Sequence, residues 1–311
     1  MKQQHPRGGS LRGLFPGVIQ TKKQKILALI LAVLLFLLAA GITAYPIISS
    51  RYNQKHQSQI HVQHRQKLEQ MERTDLNRMR QAARAYNATI LPGAKTGEVF
   101  SREAIIQAAK EYRSLLNPAG DGVMGYVEIP RLRVTLPIYH GTEDKTLELG
   151  IGHLLGSSLP VGGSSTHTIL TAHSGMASQK MFSDLPQLKA GDVFYLDILG
   201  ERLAYQVDQI KTVLPYDTTY LGVEEGKDLC TLVTCTPFGV NTHRLLVRGS
   251  RIPYDKAEVI QAQQPEIETP ASNWEQEYFK SLAWSVGGAA ALLLCGGTVY
   301  GIRKVRKHDE A

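Results

Sequence analysis

Short apolar runs separated by turn-forming residues follow one another through the middle of the chain. Seven of them are rich in β-branched and aromatic residues and predict strands at residues 123–129, 134–139, 166–172, 193–198, 202–213, 228–235 and 243–250. Little helical pattern interrupts them, apart from short turns predicted at residues 146–149 and 182–188. Closely spaced short strands of this kind are typical of an antiparallel barrel or sandwich.

The chain before these strands follows a helical pattern. Residues 49–88 are polar and charged, with sparse apolar positions at helical spacing, namely Leu68, Met71, Leu76 and Met79. They predict one or two amphipathic helices, which we interpret as a stalk. Residues 89–100 are rich in loop-forming residues. A further helix is predicted from Ser101, a good N-cap, to about Leu116.

Two long apolar runs flank this middle part, at residues 26–44 and 282–302. Each is long enough to cross a bilayer, which takes about 20 helical residues. The first could instead be a cleaved signal peptide, but its run exceeds the usual apolar length of roughly 7 to 15 residues. The second could be a buried core helix, but the four basic residues within 303–307, directly behind it, favour a membrane span.

The distribution of charge predicts the orientation of both spans. The chain carries a net charge of +7, and residues 1–25 contain six basic residues and no acidic one. Because cytoplasmic flanks collect Lys and Arg, we expect both termini in the cytoplasm and the middle outside the cell membrane. The remainder is close to neutral, which gives no support for a nucleic-acid surface.

These patterns divide the chain into seven parts. They are a cytoplasmic tail (1–25), a transmembrane helix (26–48), a helical stalk with a possible lid (49–120), a β-domain (121–255), a linker (256–280), a transmembrane helix (281–302) and a second cytoplasmic tail (303–311).

Cysteine usage singles out one thiol. Cys295 lies in the second apolar run, while Cys230 and Cys235 are five residues apart on one predicted strand. They should face opposite sides about 16 Å apart, too far for a disulfide, which needs Cα atoms within roughly 7 Å. Cys230 is interpreted as a small buried residue. Cys235 ends its strand beside a turn and is the candidate nucleophile.

Arg244 opens the strand that follows the turn after Cys235. A guanidinium stays protonated and cannot act as a base, but it can donate hydrogen bonds to an oxyanion. By the residues alone Arg244 could instead be a surface arginine of an edge strand, and Arg248 competes with it because both lie on the same strand face. The residues alone therefore do not decide which arginine is functional.

Ten histidines are present, and spacing alone does not choose between them. His173 directly follows the apolar run at residues 166–172, where an imidazole can reach solvent and substrate. His243 is the second candidate, although it should face away from Arg244 on a strand. No context supports His140, His153 or His167.

Three motifs together resemble a known family. They are Thr-Leu-Val-Thr-Cys-Thr-Pro at 231–237 with Asn-Thr-His-Arg at 241–244, Thr-Ile-Leu-Thr-Ala-His-Ser-Gly at 168–175, and Gly-Tyr-Val-Glu-Ile-Pro at 125–130. The chain from about Gly122 to Arg251 resembles the sortases, most closely class C, the pilin-polymerising branch of Gram-positive bacteria. The resemblance implies a mainly β fold, an eight-stranded barrel, with N-terminal helices and two flanking transmembrane helices.

The resemblance also implies a cysteine transpeptidase. Cys235 would attack a carbonyl in a Leu-Pro-x-Thr-Gly-like sorting signal, His173 would protonate the leaving amine, and Arg244 would stabilise the negative charge. A lysine amine of a pilin subunit would then take the acyl group, with no metal or organic cofactor. Two alternatives are attachment of single proteins to peptidoglycan and a non-catalytic scaffold that recruits pilins.

Class C sortases commonly carry a lid with an Asp-Pro-aromatic motif before the barrel. The corresponding residues 89–100 contain Leu91-Pro92-Gly93 and no Asp-Pro. No lid residues are assigned.

Overall fold

The computed structural model describes residues 22–90, 110–174, 179–267, 280, 283 and 284. The chain forms two compact units, residues 1–49 and residues 50–311. The described part of the first unit is helical throughout and belongs to α1 (Lys22–Gln70). All other helices and strands lie in the second unit.

Three further α-helices have both ends in the described residues: α2 (Arg73–Ala88), α3 (Asp144–Leu149) and α4 (Tyr254–Gln263). Residues 110–114, within the helix predicted from Ser101 to about Leu116, are also helical. None of the described helices combines the length and the apolarity needed to cross a bilayer. The second expected span lies almost wholly outside the described residues, so both transmembrane helices stay predictions. Residues 1–21 of the first predicted cytoplasmic tail, all of the second tail and residues 91–100 of the possible lid also lie outside them.

Eight strands close into a barrel within the second unit. They are β1 (Val123–Ile129), β2 (Val134–His140), β3 (Ile151–His153), β4 (Thr166–Thr171), β5 (Val193–Ile198), β6 (Glu201–Val213), β7 (Asp228–Thr236) and β8 (His243–Ile252). The order around the barrel is β1-β2-β3-β4-β7-β8-β6-β5. The prediction of a mainly β, eight-stranded barrel is therefore confirmed.

The pairing is antiparallel at six of the eight contacts and parallel at two, β2 with β3 and β4 with β7. The expectation of an antiparallel barrel is thus correct only in part. The parallel contact between β4 and β7 joins strands that are far apart in the chain. This contact matters for the site because it places the ends of both strands at the same edge.

All seven predicted strands are present, each within two residues of its expected bounds. The prediction missed β3, a three-residue strand that carries no alternating pattern. Its central residue, Gly152, passes close to a neighbouring segment, and a Cβ added there would lie 2.4 Å from the Gly141 carbonyl oxygen. Only glycine fits this approach.

Alternating residues of β7 face two different environments, as the two-residue period of a strand requires. Leu232 belongs to the main core inside the barrel together with Leu170 and Val247. Val233 belongs to a smaller apolar cluster with Ile169 and Leu246. The sheet formed by β4, β7, β8 and β6 therefore has an apolar face on both sides.

Helix α2 packs against the barrel and does not stand apart from it as a stalk would. Ala83 is fully buried in the main core. The Asn87 side chain, also buried, accepts a hydrogen bond from the Leu159 amide at 2.7 Å and donates one to the Leu159 carbonyl oxygen at 3.0 Å. These contacts attach the helix to the segment between β3 and β4.

The predicted linker at residues 256–280 is wrong for its first part. Residues 254–263 form α4, whose Ala257 packs on Val193 and Tyr195. The Tyr195 hydroxyl donates to Gln261 Oε1 at 2.7 Å, and the Ile267 amide donates to the Arg131 carbonyl oxygen at 2.8 Å. The chain therefore stays on the barrel surface at least to residue 267.

Candidate active site

Cys235 and Arg244 are direct neighbours across the β7–β8 ladder. Side chains of directly opposed residues lie on the same face of the sheet, with Cβ atoms about 4.5–5.5 Å apart. Cys235 is half-buried, whereas Cys230 is completely buried. The structure thus brings the predicted nucleophile and the predicted guanidinium together.

Cys230 faces the barrel interior and belongs to the main core, as predicted. Both cysteines are free thiols. Burial raises the pKa of the Cys230 thiol well above its ordinary value, and the nearby Asp228 carboxylate raises it further. Cys230 therefore stays protonated and unreactive, since the thiolate is the nucleophilic form.

The two candidate arginines, Arg244 and Arg248, differ in their hydrogen-bond partners. Arg248 binds Asp208 through Nε at 2.9 Å and Nη2 at 3.1 Å, and Glu224 through Nη1 at 2.6 Å. Arg244 donates only from Nη1, to the backbone carbonyl oxygens of Asn241 at 3.2 Å and His243 at 3.0 Å. Among the described residues Arg244 forms no ion pair, so its guanidinium is the one available to a substrate.

His173 lies just beyond the end of β4, beside the end of β7. The parallel register pairs Thr171 with Val233, and the Ala172 amide donates to the Val233 carbonyl oxygen at 3.1 Å. The Ser174 hydroxyl donates to the carbonyl oxygen of Cys235 at 2.8 Å. The backbone on both sides of His173 is therefore held along the strand that carries the thiol.

Sequence reasoning missed two residues that create this arrangement. Besides Ser174, the buried Thr234 hydroxyl donates to the Ala172 carbonyl oxygen at 2.8 Å. A threonine at an inward position of an apolar strand is the signal that could have indicated it, because buried hydroxyls need a partner. Residues 175–178, which follow Ser174, are outside the described residues.

An apolar groove of about 480 Å³ begins at Arg244 and runs along the outer face of β4, β7, β8 and β6. Its floor contains Ile169, Val233 and Leu246, and its far wall contains Pro215 and Leu221 of the loop between β6 and β7. Ligand-binding pockets combine such apolar lining with a few placed polar groups. Here Arg244 lines one end of the groove, and Cys235 is its direct neighbour across the β7–β8 ladder.

Comparison with known proteins agrees with this geometry. The profile of the Sortase domain matches residues 127–252. Sortase C1 from Streptococcus agalactiae superposes with a TM-score of 0.59 at 45% identity, over 63% of this chain and 100% of that one. This chain belongs to the sortase family.

Two further relatives support the assignment. Sortase C of Streptococcus pneumoniae has a TM-score of 0.55 at 41% identity, over 63% of this chain and 97% of that one. Sortase D from Bacillus subtilis is 27% identical over 143 residues, 45% of this chain and 69% of that protein. Sortases are cysteine transpeptidases, so this chain is an enzyme of that type.

Three other histidines of this sortase, His140, His153 and His167, are buried and hydrogen-bonded within the fold. His153 is fully buried between the Tyr112 hydroxyl, 2.9 Å from Nδ1, and the Ser158 carbonyl oxygen, 2.9 Å from Nε2. Burial lowers the pKa of His153 to about 4, so it stays neutral. His140 and His167 are also buried and hydrogen-bonded.

His243, the second candidate, follows the expectation from strand alternation. It pairs with Thr236 at the start of β8 and therefore faces away from Arg244. Its Nδ1 lies 2.9 Å from the Thr242 hydroxyl. In the part of the chain that the structure describes, no group of three or more His, Cys, Asp or Glu side chains is arranged to hold a metal ion.

Proposed function

We propose that this sortase cleaves a Leu-Pro-x-Thr-Gly-like sorting signal and transfers the acyl group to a lysine amine of a pilin subunit. The observation that carries the proposal is the pairing of Cys235 with Arg244 at the end of an apolar groove, with the backbone of His173 tethered beside them. The names of the similar structures add support, since they include a pilus-related sortase C of group B Streptococcus.

The first half-reaction forms a thioester. The Cys235 thiolate attacks the threonine carbonyl, and Arg244 donates hydrogen bonds to the oxyanion that develops there. The bond between threonine and glycine then breaks, and the His173 imidazolium gives its proton to the leaving glycine amine. The products are an acyl thioester on Cys235, a free glycine amine and a neutral His173.

The second half-reaction restores the enzyme. The neutral His173 accepts a proton from the incoming lysine amine, which attacks the thioester carbonyl. Collapse of the oxyanion expels the Cys235 thiolate and leaves an isopeptide bond. No metal or organic cofactor takes part in either step.

The thioester provides the direct test. Full-length protein is incubated with a Leu-Pro-x-Thr-Gly peptide that lacks an acceptor amine, quenched in acid and examined by peptide mass spectrometry. We expect the acyl mass on Cys235 in the wild type and in the matched Cys230→Ser variant, and no acyl mass in Cys235→Ala. Acylation of Cys230, or none on a folded wild type, would reject the proposal.

The identity of the acceptor amine distinguishes pilin polymerisation from the two alternative functions. The acyl-enzyme is offered a pilin domain with its lysines, and in parallel a glycine peptide that resembles a peptidoglycan cross-bridge. We expect an isopeptide product with the pilin lysine. Transfer to the glycine amine alone would indicate attachment of single proteins to the cell wall, and assembly unaffected by Cys235→Ala would indicate a scaffold.

We also propose that two helices anchor the enzyme, with its catalytic domain outside the membrane and both termini in the cytoplasm. The support is in the sequence, in the apolar runs at residues 26–44 and 282–302 and their basic flanks. Fusions of alkaline phosphatase, which is active only outside, should be active after residue 270 and inactive after residue 311. Activity of the second fusion would contradict this topology.

A further inference from the structure

The segment that carries His173 continues the β4–β7 ladder past the end of β4. The parallel register pairs Thr171, the last residue of β4, with Val233. Two residues further along both segments, His173 comes level with Cys235. The Ala172 amide still donates to the Val233 carbonyl oxygen, at 3.1 Å. In a parallel ladder the next acceptor lies two residues on, and here that acceptor is the carbonyl oxygen of Cys235.

The hydroxyl of Ser174 fills this next position of the ladder. A regular parallel ladder would use the backbone amide of residue 174 as the donor to the Cys235 carbonyl oxygen. Here the Ser174 Oγ donates to that oxygen at 2.8 Å. The ladder bonds before it use main-chain groups, which every residue except proline supplies. This last bond uses a side chain and therefore depends on which residue occupies position 174.

Two further contacts hold the backbone around His173. Its carbonyl oxygen accepts a hydrogen bond from the amide of Phe182 at 3.0 Å, and the Phe182 side chain is buried in the main core. The Ala172 carbonyl oxygen accepts the Thr234 hydroxyl at 2.8 Å. Neither of these two contacts ends on Cys235. The bond from Ser174 does, so it fixes the segment directly against the residue that carries the thiol.

We propose that Ser174 is a positioning residue for the acyl-transfer reaction, an inference that rests on the proposed roles of Cys235 and His173. The Ser174 hydroxyl holds the end of this segment on β7 and thereby keeps the His173 imidazole within reach of the leaving amine. Loss of the hydroxyl releases this end of the segment from β7. Ser174 thus acts through His173, and no contact with the reacting atoms is assigned to it.

The chemistry of the leaving group makes this role testable. An amine leaves the tetrahedral intermediate only after it has taken up a proton, which His173 supplies. A thiolate leaves without one. In a thioester analogue of the sorting signal, a small thiol replaces the glycine amine. The Cys235 thiolate attacks its carbonyl, the bond to the small thiolate breaks, and the same acyl-enzyme forms with no proton transfer to the leaving group.

The experiment compares both substrates in full-length protein and in two variants of Ser174. Formation of the acyl-enzyme on Cys235 is followed by rapid acid quench and mass spectrometry. With the Leu-Pro-x-Thr-Gly peptide, we expect Ser174→Ala to lower the maximal acylation rate about tenfold or more, because a misplaced catalytic group costs rate. The half-saturating peptide concentration should stay within about twofold. With the thioester analogue, its rate should stay within about threefold of the wild type.

The conservative variant Ser174→Thr keeps the hydroxyl and should recover at least about half of the wild-type rate with the peptide. Ser114→Ala is the matched control. The Ser114 hydroxyl also donates to a backbone carbonyl oxygen, that of Glu111 at 2.6 Å, at an exposed position. Its rates with both substrates should equal those of the wild type, and Tm of every variant should stay within about 2 °C of the wild type.

The outcomes separate this inference from the function on which it rests. A wild-type peptide rate in Ser174→Ala overturns the inference, because the hydroxyl then positions nothing that limits acylation. Equal losses with the peptide and the thioester analogue also overturn it, since they would place the effect on the thiol or on the fold and not on the proton transfer. Absence of acylation in a folded wild type with both substrates would instead reject the proposed function.

Discussion

At the scale of single residues, the site depends on which charged groups already have partners. Arg244 and Arg248 occupy the same face of β8, four residues apart, and the sequence treats them alike. Their surroundings differ, because among the described residues Arg248 is bound by two carboxylates and Arg244 only by backbone carbonyl oxygens. An arginine without an ion-pair partner at the mouth of a groove can give its hydrogen bonds to a substrate oxyanion.

Replacement of Arg244 by alanine should therefore impair chemistry and leave folding intact. We expect kcat/KM for thioester formation to fall by about 10²–10³-fold, the usual effect of losing one oxyanion donor, with Tm close to that of the wild type. Stopped assays with a sorting-signal peptide measure the rate, and Arg78→Ala on the exposed face of α2 is the control for loss of one positive charge. A rate within threefold of the wild type would remove Arg244 from the mechanism.

At the scale of elements, the loop between β6 and β7 forms a wall of the groove and is fastened to the barrel by several contacts, two of which lie near the groove. Glu224 binds the Arg248 guanidinium, and the Gly222 carbonyl oxygen lies 2.7 Å from His167 Nδ1. Burial acts to raise the pKa of Asp208, the other partner of Arg248, but hydrogen bonds from Arg248 and Ser250 outweigh it and the pKa is lowered. The loop is thus attached to an ionised cluster on the barrel.

Loosening this attachment should weaken substrate binding more than catalysis. Glu224→Gln removes the charge and keeps the shape, and we expect KM for the sorting-signal peptide to rise about two- to fivefold with kcat nearly unchanged. This corresponds to the modest free energy of a half-exposed ion pair. Glu225→Gln, at the exposed neighbouring position, is the control and should behave as the wild type. A fall in kcat at constant KM would contradict this role of the loop.

The sequence predicted elements far better than it predicted their contacts. Alternation indicated seven strands, but no local pattern reveals that β4 pairs with β7 in parallel, since that contact joins segments about 60 residues apart. The alignment of His173 with Cys235 depends on it. The family resemblance supplied that relation, and the hydrogen bonds of Ser174 and Thr234 give its physical cause.

At the scale of the whole molecule, buried histidines make stability depend on pH. The pKa of His153 is about 4 in the folded chain and about 6.5 in an unfolded one. Because the folded pKa is the lower, the unfolded chain binds the proton first as the pH falls. The contribution to stability is complete above pH 6.5 and is lost progressively down to about pH 4.

The free energy of unfolding should therefore fall by up to about 3 kcal/mol through His153 between pH 7 and pH 4. Urea unfolding at half-unit pH intervals measures the slope. His153→Gln retains hydrogen-bonding capacity without a titrating group, so it should show a shallower decline, whereas the half-buried His243→Gln should retain the slope of the wild type. Equal slopes for His153→Gln and wild type would mean that His153 does not titrate on unfolding.

Closure of the barrel has a consequence for how a peptide is recognised. In the ladder β1-β2-β3-β4-β7-β8-β6-β5 every strand has a neighbour on each side, so the described barrel has no fully unpaired edge strand to which an incoming segment could add. Strand addition of that kind relies on main-chain hydrogen bonds, which discriminate little between different side chains. We therefore expect the proposed sorting signal to be selected mainly by how its side chains fill the apolar groove on the outer face of the barrel.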